Sequence, residues 1–492
     1  MEKSYYIGLD GGTTNIKAVL LDESLLFVDE ESVGVKLLHP FADAVEIDME
    51  DYWLQAAKVL KALALRNPQA LKCLRGVCVT GQGDGMWPVR DDGSPAYHAV
   101  LWNDTRSKIY RFDDNQQFND LRRQACTNRV YAGSVTAILK WMQENQPEVF
   151  HAIGYVLHCK DWINYRLTGE IFTDYTDSST AILSIPQKRY VYEQLEAFSL
   201  GACKKMFPQP VPSTQVIGSI TPQAAAATGL PIGIPVAAGA VDVCAAAVGM
   251  DMLEPGDACS IIGTTLANQI VLPREGFTEL GNDGLLLHHA VPGMYINILP
   301  TLSGATSLDF VRNLLFPEQS WGELEDLISQ IPIGCNGLLF HPYLYGERAP
   351  FPEPNASGGF FGLKALHSKV HFMRSAFEGL SYTMYDCFCS FSHPYHKVFL
   401  AGGASKNDTL CQMFADVLDT ACYRVFASEP GSLGAARILQ VALGDTSFSD
   451  ILRQQAHVFS PDHTRHQQYH ACFEKFLQLR KLMMPVWAQK ES

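Results

Sequence analysis

The chain has 492 residues, 47% hydrophobic and 18% charged, with 52 acidic against 38 basic residues and a net charge of −14. That length suits two large domains better than one, and the apolar share suits sizeable buried cores. The acidic balance, with no dense basic run, excludes non-specific nucleic-acid binding, which needs clustered Lys and Arg facing phosphates.

The first elements are two apolar runs, Tyr5–Leu9 and Asn15–Leu21, joined by Gly11-Gly12-Thr13-Thr14, a pattern that predicts a β-hairpin. Arg75–Thr80 reads as a strand that ends in "GQGDG", Gly81–Gly85. Tyr155–Gly169 reads as a strand running into a helix closed by its glycine. "GIPVAAGAVDVCAAAVGM", Gly233–Met250, is the most membrane-like stretch, but it is short and carries Asp242 near its middle. It predicts a strand, a loop and a helix of small residues rather than a membrane span. This region also marks the expected boundary, giving domains of residues 1–244 and 245–492. Asp257–Leu272 predicts a second hairpin around Gly263-Thr264-Thr265, so each half of the chain carries one glycine-threonine turn. His396–Phe426 predicts strand, glycine-rich loop, amphipathic helix and strand, with Leu410, Phe414, Val417 and Leu418 on the core face of the helix. The thirteen cysteines form no C-x-x-C pair, and "MEKSYYIGLD" has no long apolar stretch before its first acid. Both features lead to an expectation of free thiols and a cytoplasmic protein.

Paired glycine-threonine turns are what a divided phosphate site needs. Turn N–H groups and Thr hydroxyls can hold phosphate oxygens without a bulky side chain in the way. The alternative is two ordinary hairpins. There is no G-x-x-x-x-G-K-[ST] loop. Asp10, at the end of the first strand, could hold Mg²⁺ beside phosphates or simply bond its own turn. Asp242, in the least polar part of the chain, could cap the following helix, act as a general base, or do both. "GGASKN", Gly402–Asn407, could bring a planar or anionic ligand to a helix N-terminus, or be a plain connection. Gln82, Asp84, Trp87, Trp102, Asp104 and Arg106 supply the hydrogen-bonding groups and aromatic faces that a polyhydroxylated ligand needs, though surface loops often hold such residues.

Five segments in order resemble the FGGY carbohydrate kinases, within the actin, Hsp70 and hexokinase superfamily. They are "GLDGGTTNIKAVLLD", "KDWINYRLTGEIFTDYTDSS", "GCNGLLFHPYLYGERAP", "GGFFGLKALHSKVHFMRSAFEGLSY" and "LAGGASKNDTLCQMFADVL". The resemblance implies an α/β chain of two ribonuclease-H-like domains around a central cleft that takes ATP, Mg²⁺ and a small sugar or polyol. It implies Asp242 as catalytic base and Asp10 near Mg²⁺. Gly12, Thr13, Thr14 and Lys17 fall on the first phosphate hairpin, and Gly263, Thr264 and Thr265 on the second. Gly402, Gly403 and Asn407 fall on the adenosine loop. Gln82 and Asp104 fall where relatives contact the sugar, with Asp84, Trp102 and Asp242 the further candidates for substrate binding, and a homodimer is common among relatives.

Two positions depart from the family pattern. Ile138 stands where the N-terminal signature has Lys, and Gly83-Asp84 follows Gln82 where D-xylulose kinases have Met-His and glycerol kinases Arg-Glu. The "Q-G-x-G" loop looks more like L-xylulose and erythritol kinases. The expected activity is ATP-dependent phosphorylation of a primary hydroxyl of a ketopentose such as xylulose or ribulose, or of a tetritol. The competing expectations are an Hsp70- or actin-like ATPase switch and a catalytically inactive sugar-binding protein.

Overall fold

The computed structural model describes residues 3–110, 112–273, 284–425, 429–451 and 453–488. Two sheets organise it. The first is built from β1 (Tyr5–Gly11), β2 (Asn15–Asp22), β3 (Phe27–Gly34), β4 (Leu74–Gly81), β5 (Val216–Ser219) and β6 (Pro235–Ala237), in the spatial order β5-β6-β4-β1-β2-β3. The second is built from β7 (Asp257–Ile262), β8 (Leu266–Pro273), β9 (Leu285–His288), β10 (Met294–Pro300), β11 (Lys397–Ala401), β12 (Cys422–Val425) and β13 (Ala456–Phe459), in the order β9-β10-β8-β7-β11-β12-β13.

The two sheets repeat one plan. A hairpin opens each, β1 with β2 and β7 with β8. A parallel strand lies against the first member of each hairpin, β4 beside β1 and β11 beside β7. A second parallel strand follows, and an antiparallel edge strand closes that side. Both hairpins and the strands over 74–81, 235–237, 397–401 and 422–425 lie where the sequence puts them.

The helices used below are α1 (Met49–Arg66), α2 (Val135–Asn145), α3 (Cys159–Thr168), α4 (Asp242–Gly249), α5 (Ala305–Leu315), α6 (Trp321–Ser329), α7 (Lys369–Ser390), α8 (Asp408–Leu418), α9 (Pro430–Ala442) and α10 (His463–Trp487). Local sequence explains several of their ends. Helix α3 stops at Gly169, whose φ of 81° suits glycine. Asn407 starts α8 by accepting the Leu410 N–H at 2.7 Å. Leu410, Phe414, Val417 and Leu418 are all buried, as the periodicity predicts.

Three of the apolar cores among the described residues frame the two sheets. One, under the first sheet, joins Ile7, Leu9 and Val79 to Tyr52, Leu60 and Trp162 of α1 and α3. Another, in the second half, joins β7 and β8 to α5, α7, α8 and α10. The third lies between the sheets and takes side chains from both, including Tyr6, Cys78, Val248, Cys259 and Leu439. Ile138 is fully buried on α2 with Met86, Leu139 and Met142, so an apolar residue belongs there and a lysine would lose its water. All thirteen cysteines are free thiols. No helix among the described residues is long and apolar enough to cross a membrane. The stretch over 233–250 forms β6 and the eight-residue α4 instead.

Candidate active site

Asp10 stands near the end of β1, opposite Lys17 on β2 and Thr80 on β4. Its Oδ1 is buried with no hydrogen-bond partner among the described residues. Burial, helped by the charge of Glu429 and opposed by Lys17, pushes its carboxyl up to about 6. The first turn of α9 lies against the other oxygen, since a Cβ on Gly431 would come within 2.8 Å of Asp10 Oδ2. A carboxylate with one idle oxygen, beside a phosphate-type turn, fits a hydrated divalent cation.

The turn itself is closed by Gly12 N–H donating to Asn15 O at 3.0 Å and braced by Val35 N–H donating to Thr14 O at 2.8 Å. Thr13 Oγ1 donates to Gln82 Oε1 at 2.9 Å and accepts from Trp102 Nε1 at 3.2 Å. The hairpin, Trp102 and the Gly81–Gly85 loop (the expected sugar loop) therefore meet at one hydroxyl. The other end of Gln82, Nε2, is buried without a partner among the described residues. Lys17 is bound to Glu429 at 2.6 Å and lies 3.7 Å from Glu30, so its charge is already matched.

Asp84 sits at φ 59°, a left-handed conformation that aspartate tolerates better than most side chains. Its Oδ2 accepts the Tyr131 hydroxyl and its Oδ1 is buried with no partner among the described residues. Burial pushes this carboxyl up to about 7, against the Tyr131 bond. Gly83 is required beside it, because a Cβ there would lie 2.4 Å from Val241 Cγ2. Asp104 stands apart from these groups. It is 1% exposed, and its oxygens accept from Arg106 Nε and Nη2 and from Val45 N–H at 2.8 to 3.0 Å. It fixes the shape of the segment that carries Trp102 and has no free acceptor to offer a ligand.

Asp242 is the first residue of α4, and Val241 is the N-cap, so the capping expectation shifts by one position. Asp242 Oδ1 accepts the Val243 N–H at 2.7 Å. Burial, then the charge of Asp10, pushes its carboxyl up to about 7. A carboxylate in this state is a stronger proton acceptor than an ordinary one.

Behind the sugar loop lies a buried ionic cluster without a role in the sequence reading. Lys160 Nζ is 2.5 Å from Asp161, 2.9 Å from Asp174 and 3.0 Å from Asp177, with all four side chains fully buried. Burial works against the ionised Asp161, but Lys160 outweighs it and holds that carboxyl down to about 2. His158 joins through Asp161 at 3.3 Å. His158, Asp161 and Asp177 are close enough to hold a metal, yet Lys160 already supplies the cation there. Only the K-D and T-D-x-x-D spacing hints at this cluster. Tyr131 carries no comparable signal.

The second hairpin closes one residue tighter, with Gly263 N–H donating to Thr265 O at 3.0 Å. The start of α5 packs onto it. Ala305 N–H donates to Gly263 O at 2.9 Å and Thr306 Oγ1 to Thr264 O at 2.8 Å. A cavity of about 500 Å³ opens beside it, lined by Gly263 and Thr264, Trp321 and Glu325 of α6, and Gly403 and Asn407. Its walls are mostly apolar with a few polar groups, which suits a nucleoside. Gly402 brings the loop down on β7, since a Cβ there would lie 2.5 Å from Ile262 O. Asn407 donates through Nδ2 to Glu325 at 2.8 Å and tethers the loop to α6.

Comparison with known proteins bears on this geometry. Residues 5–249 match the FGGY family of carbohydrate kinases, N-terminal domain, and residues 305–443 match the C-terminal domain of the same family. The chain is 30% identical to a xylulose kinase of Bacillus subtilis (strain 168) over 485 residues, covering 96% of each. It is 28% identical to an erythritol kinase of Brucella abortus (strain 2308), covering 99% of this chain and 98% of that one. The crystal structure of a xylulose kinase from Rhodospirillum rubrum superposes with a TM-score of 0.91 at 25% identity, covering 99% of this chain and 100% of that one.

Proposed function

The chain belongs to the FGGY family of carbohydrate kinases, and we propose that it transfers the γ-phosphoryl group of Mg-ATP to a primary hydroxyl of a ketopentose or a tetritol. The observation that carries this reading is a pair of buried carboxyls, Asp10 beside the first glycine-threonine turn with an idle Oδ1, and Asp242 at the start of α4, whose carboxyl burial and the charge of Asp10 push up to about 7. In it, residues 1–244 supply the acceptor site and residues 245–492 the nucleotide site. The adenosine lies in the cavity between the second hairpin and the 402–407 loop. The turns at Gly12 and Gly263 flank its phosphates.

Phosphoryl transfer asks mainly for positioning and charge neutralisation. Mg²⁺, when bound, would neutralise phosphate charge, and Asp10 is the residue that would hold it. Ionised Asp242 accepts the proton of the attacking hydroxyl. Thr13, Gln82, Trp102 and Asp84 hold the rest of the acceptor, and Asp84 is set to accept a hydroxyl proton through Oδ1. The names of relatives support both ketopentoses and erythritol as candidates, and the Gly83-Asp84 loop supports an acceptor other than D-xylulose. An ATPase switch is not favoured, because similarity to sugar kinases runs through both halves.

The test is a panel of four- to six-carbon ketoses and alditols read by ADP release. At least one should raise turnover well above the ATP-only rate. Indifference to every acceptor would overturn the reading. Asp242→Asn should fold, bind ATP and lose turnover by about 10²–10⁴-fold.

A further inference from the structure

We propose that Thr80 and Thr176 are positioning residues that aim Asp242, an inference that rests on Asp242 being the general base. The tripeptide 240–242 is a junction. It follows β6 and runs into α4, whose first residue is Asp242, and its regular contact with the sheet is a single bridge between Gly81 and Val241. Two hydroxyls hold it from opposite sides. Thr80 Oγ1 donates to Ala240 O at 2.7 Å, and Val241 N–H donates to Thr176 Oγ1 at 2.8 Å. Both threonines are fully buried.

Each hydroxyl is itself anchored in the site. Thr80 pairs in register with Asp10 across β1 and β4, so one strand pair sets the positions of both carboxyls. Thr176 Oγ1 donates to Asp174 Oδ2 at 2.8 Å. Asp174 is fixed in turn by Lys160 Nζ at 2.9 Å and by Ser213 Oγ at 2.7 Å. A hydroxyl that donates to a carboxylate is a better acceptor on its other side, so the Val241 N–H is held more firmly than by an ordinary threonine. Gly83 completes the seat by leaving room for the Val241 side chain.

The geometry gives the buried ion cluster a purpose. It is too deep to meet a ligand, but it ends one residue before the base. The backbone angles at Val241 set the direction of the first turn of α4, and with it the Asp242 carboxylate. Displacement of a catalytic group by about 1 Å costs on the order of 10²-fold in rate.

The experiment is steady-state kinetics of Thr176→Val and Thr80→Val with the best acceptor, alongside Asp242→Asn and the Thr176→Val/Asp242→Asn double variant. The expected result is a fall in kcat of about 10–100-fold for Thr176→Val and about tenfold for Thr80→Val, with KM for ATP within twofold of the parent. Thr176→Ser should restore most of the loss. In the Asp242→Asn background, Thr176→Val should change the remaining turnover less than twofold, because positioning acts only through the base. If a valine variant does not fold, Thr176→Ala and Thr80→Ala are read in the same way. Folded single variants with kcat within twofold of the parent would overturn the proposal, as would equal losses in both backgrounds. Near-normal turnover of Asp242→Asn would remove the base itself, a failure distinct from ineffective threonines.

Discussion

Each glycine-threonine hairpin is closed by its glycine N–H at 3.0 Å, but Gly12 reaches three residues on to Asn15 and Gly263 only two to Thr265, and their surroundings have little in common. The first is ringed by carboxyls and amides, namely Asp10, Gln82 and, across the strand, the Lys17–Glu429 pair. The second is packed by the small residues Gly304 and Ala305 and opens onto a largely apolar cavity. A phosphate-type turn is therefore a module, and what lies within one side chain of it decides its task. In the proposed function the first hairpin serves chemistry, beside Asp10, whose carboxyl burial pushes up to about 6, and the second serves grip.

Breaking each side separately sharpens that contrast. Among variants at the two hairpins the largest effect is expected from Asp10→Asn, which should lower kcat by about 10²-fold through lost electrostatic stabilisation while ATP still binds. Isothermal titration with ATP and a turnover assay check it together. Gly304→Ala attacks the other hairpin, because its Cβ would lie 2.3 Å from Thr264 O. It should raise KM for ATP by about tenfold, with the acceptor KM nearly unchanged, in initial-rate measurements at varied ATP. Gly83→Ala does the reverse. With Val241 Cγ2 at 2.4 Å, the added methyl must displace the sugar loop, so the acceptor KM should rise several-fold and the ATP KM stay put.

The smallest effect concerns stability. Asp10, Asp84 and Asp242 are raised from 3.8 to about 6, about 7 and about 7 in the folded, ligand-free protein. Folding then takes up protons, so their contribution is fully present below about pH 4 and is lost as pH rises through 6 to 7. Asp242→Asn should therefore raise Tm by about 2 °C at pH 8 and change it little at pH 4. Differential scanning fluorimetry across that range reads the difference.

Much of the fold was legible because its signals are local. Glycine-threonine turns between apolar runs, the Gly169 stop and the buried stripe on α8 all lie within a few residues of what they specify. Gln82, Trp102 and the first hairpin also come together as the sequence suggests. Asp104 did not join them, since only the folded chain reveals that Arg106 and Val45 consume its oxygens. The matching of Lys17 by Glu429, 412 positions away, was equally out of reach. The lysine at the centre of the ion cluster and its neighbour Asp161 were visible as residues of one helix, but Asp174 and Asp177 lie on elements that only tertiary packing brings to them. Local rules find turns and faces, whereas charge neutralisation over long separations is a property of the assembled core.

The seam between the halves has one further consequence. Helix α9 comes from the second half but lies on the first sheet, and the contact is backbone on backbone. A Cβ on Gly8 would lie 2.1 Å from Ser432 O across the seam, and where α4 meets α9 one on Gly249 would lie 2.0 Å from Pro430 O and one on Gly434 1.7 Å from Ala245 O. At these points no side chain stands between the helix and its neighbours, while Leu439 of the same helix interlocks with Tyr6 and Cys78 a few residues on. The seam therefore tolerates no spacer, and a methyl group at any of those three glycines would act as a wedge in it.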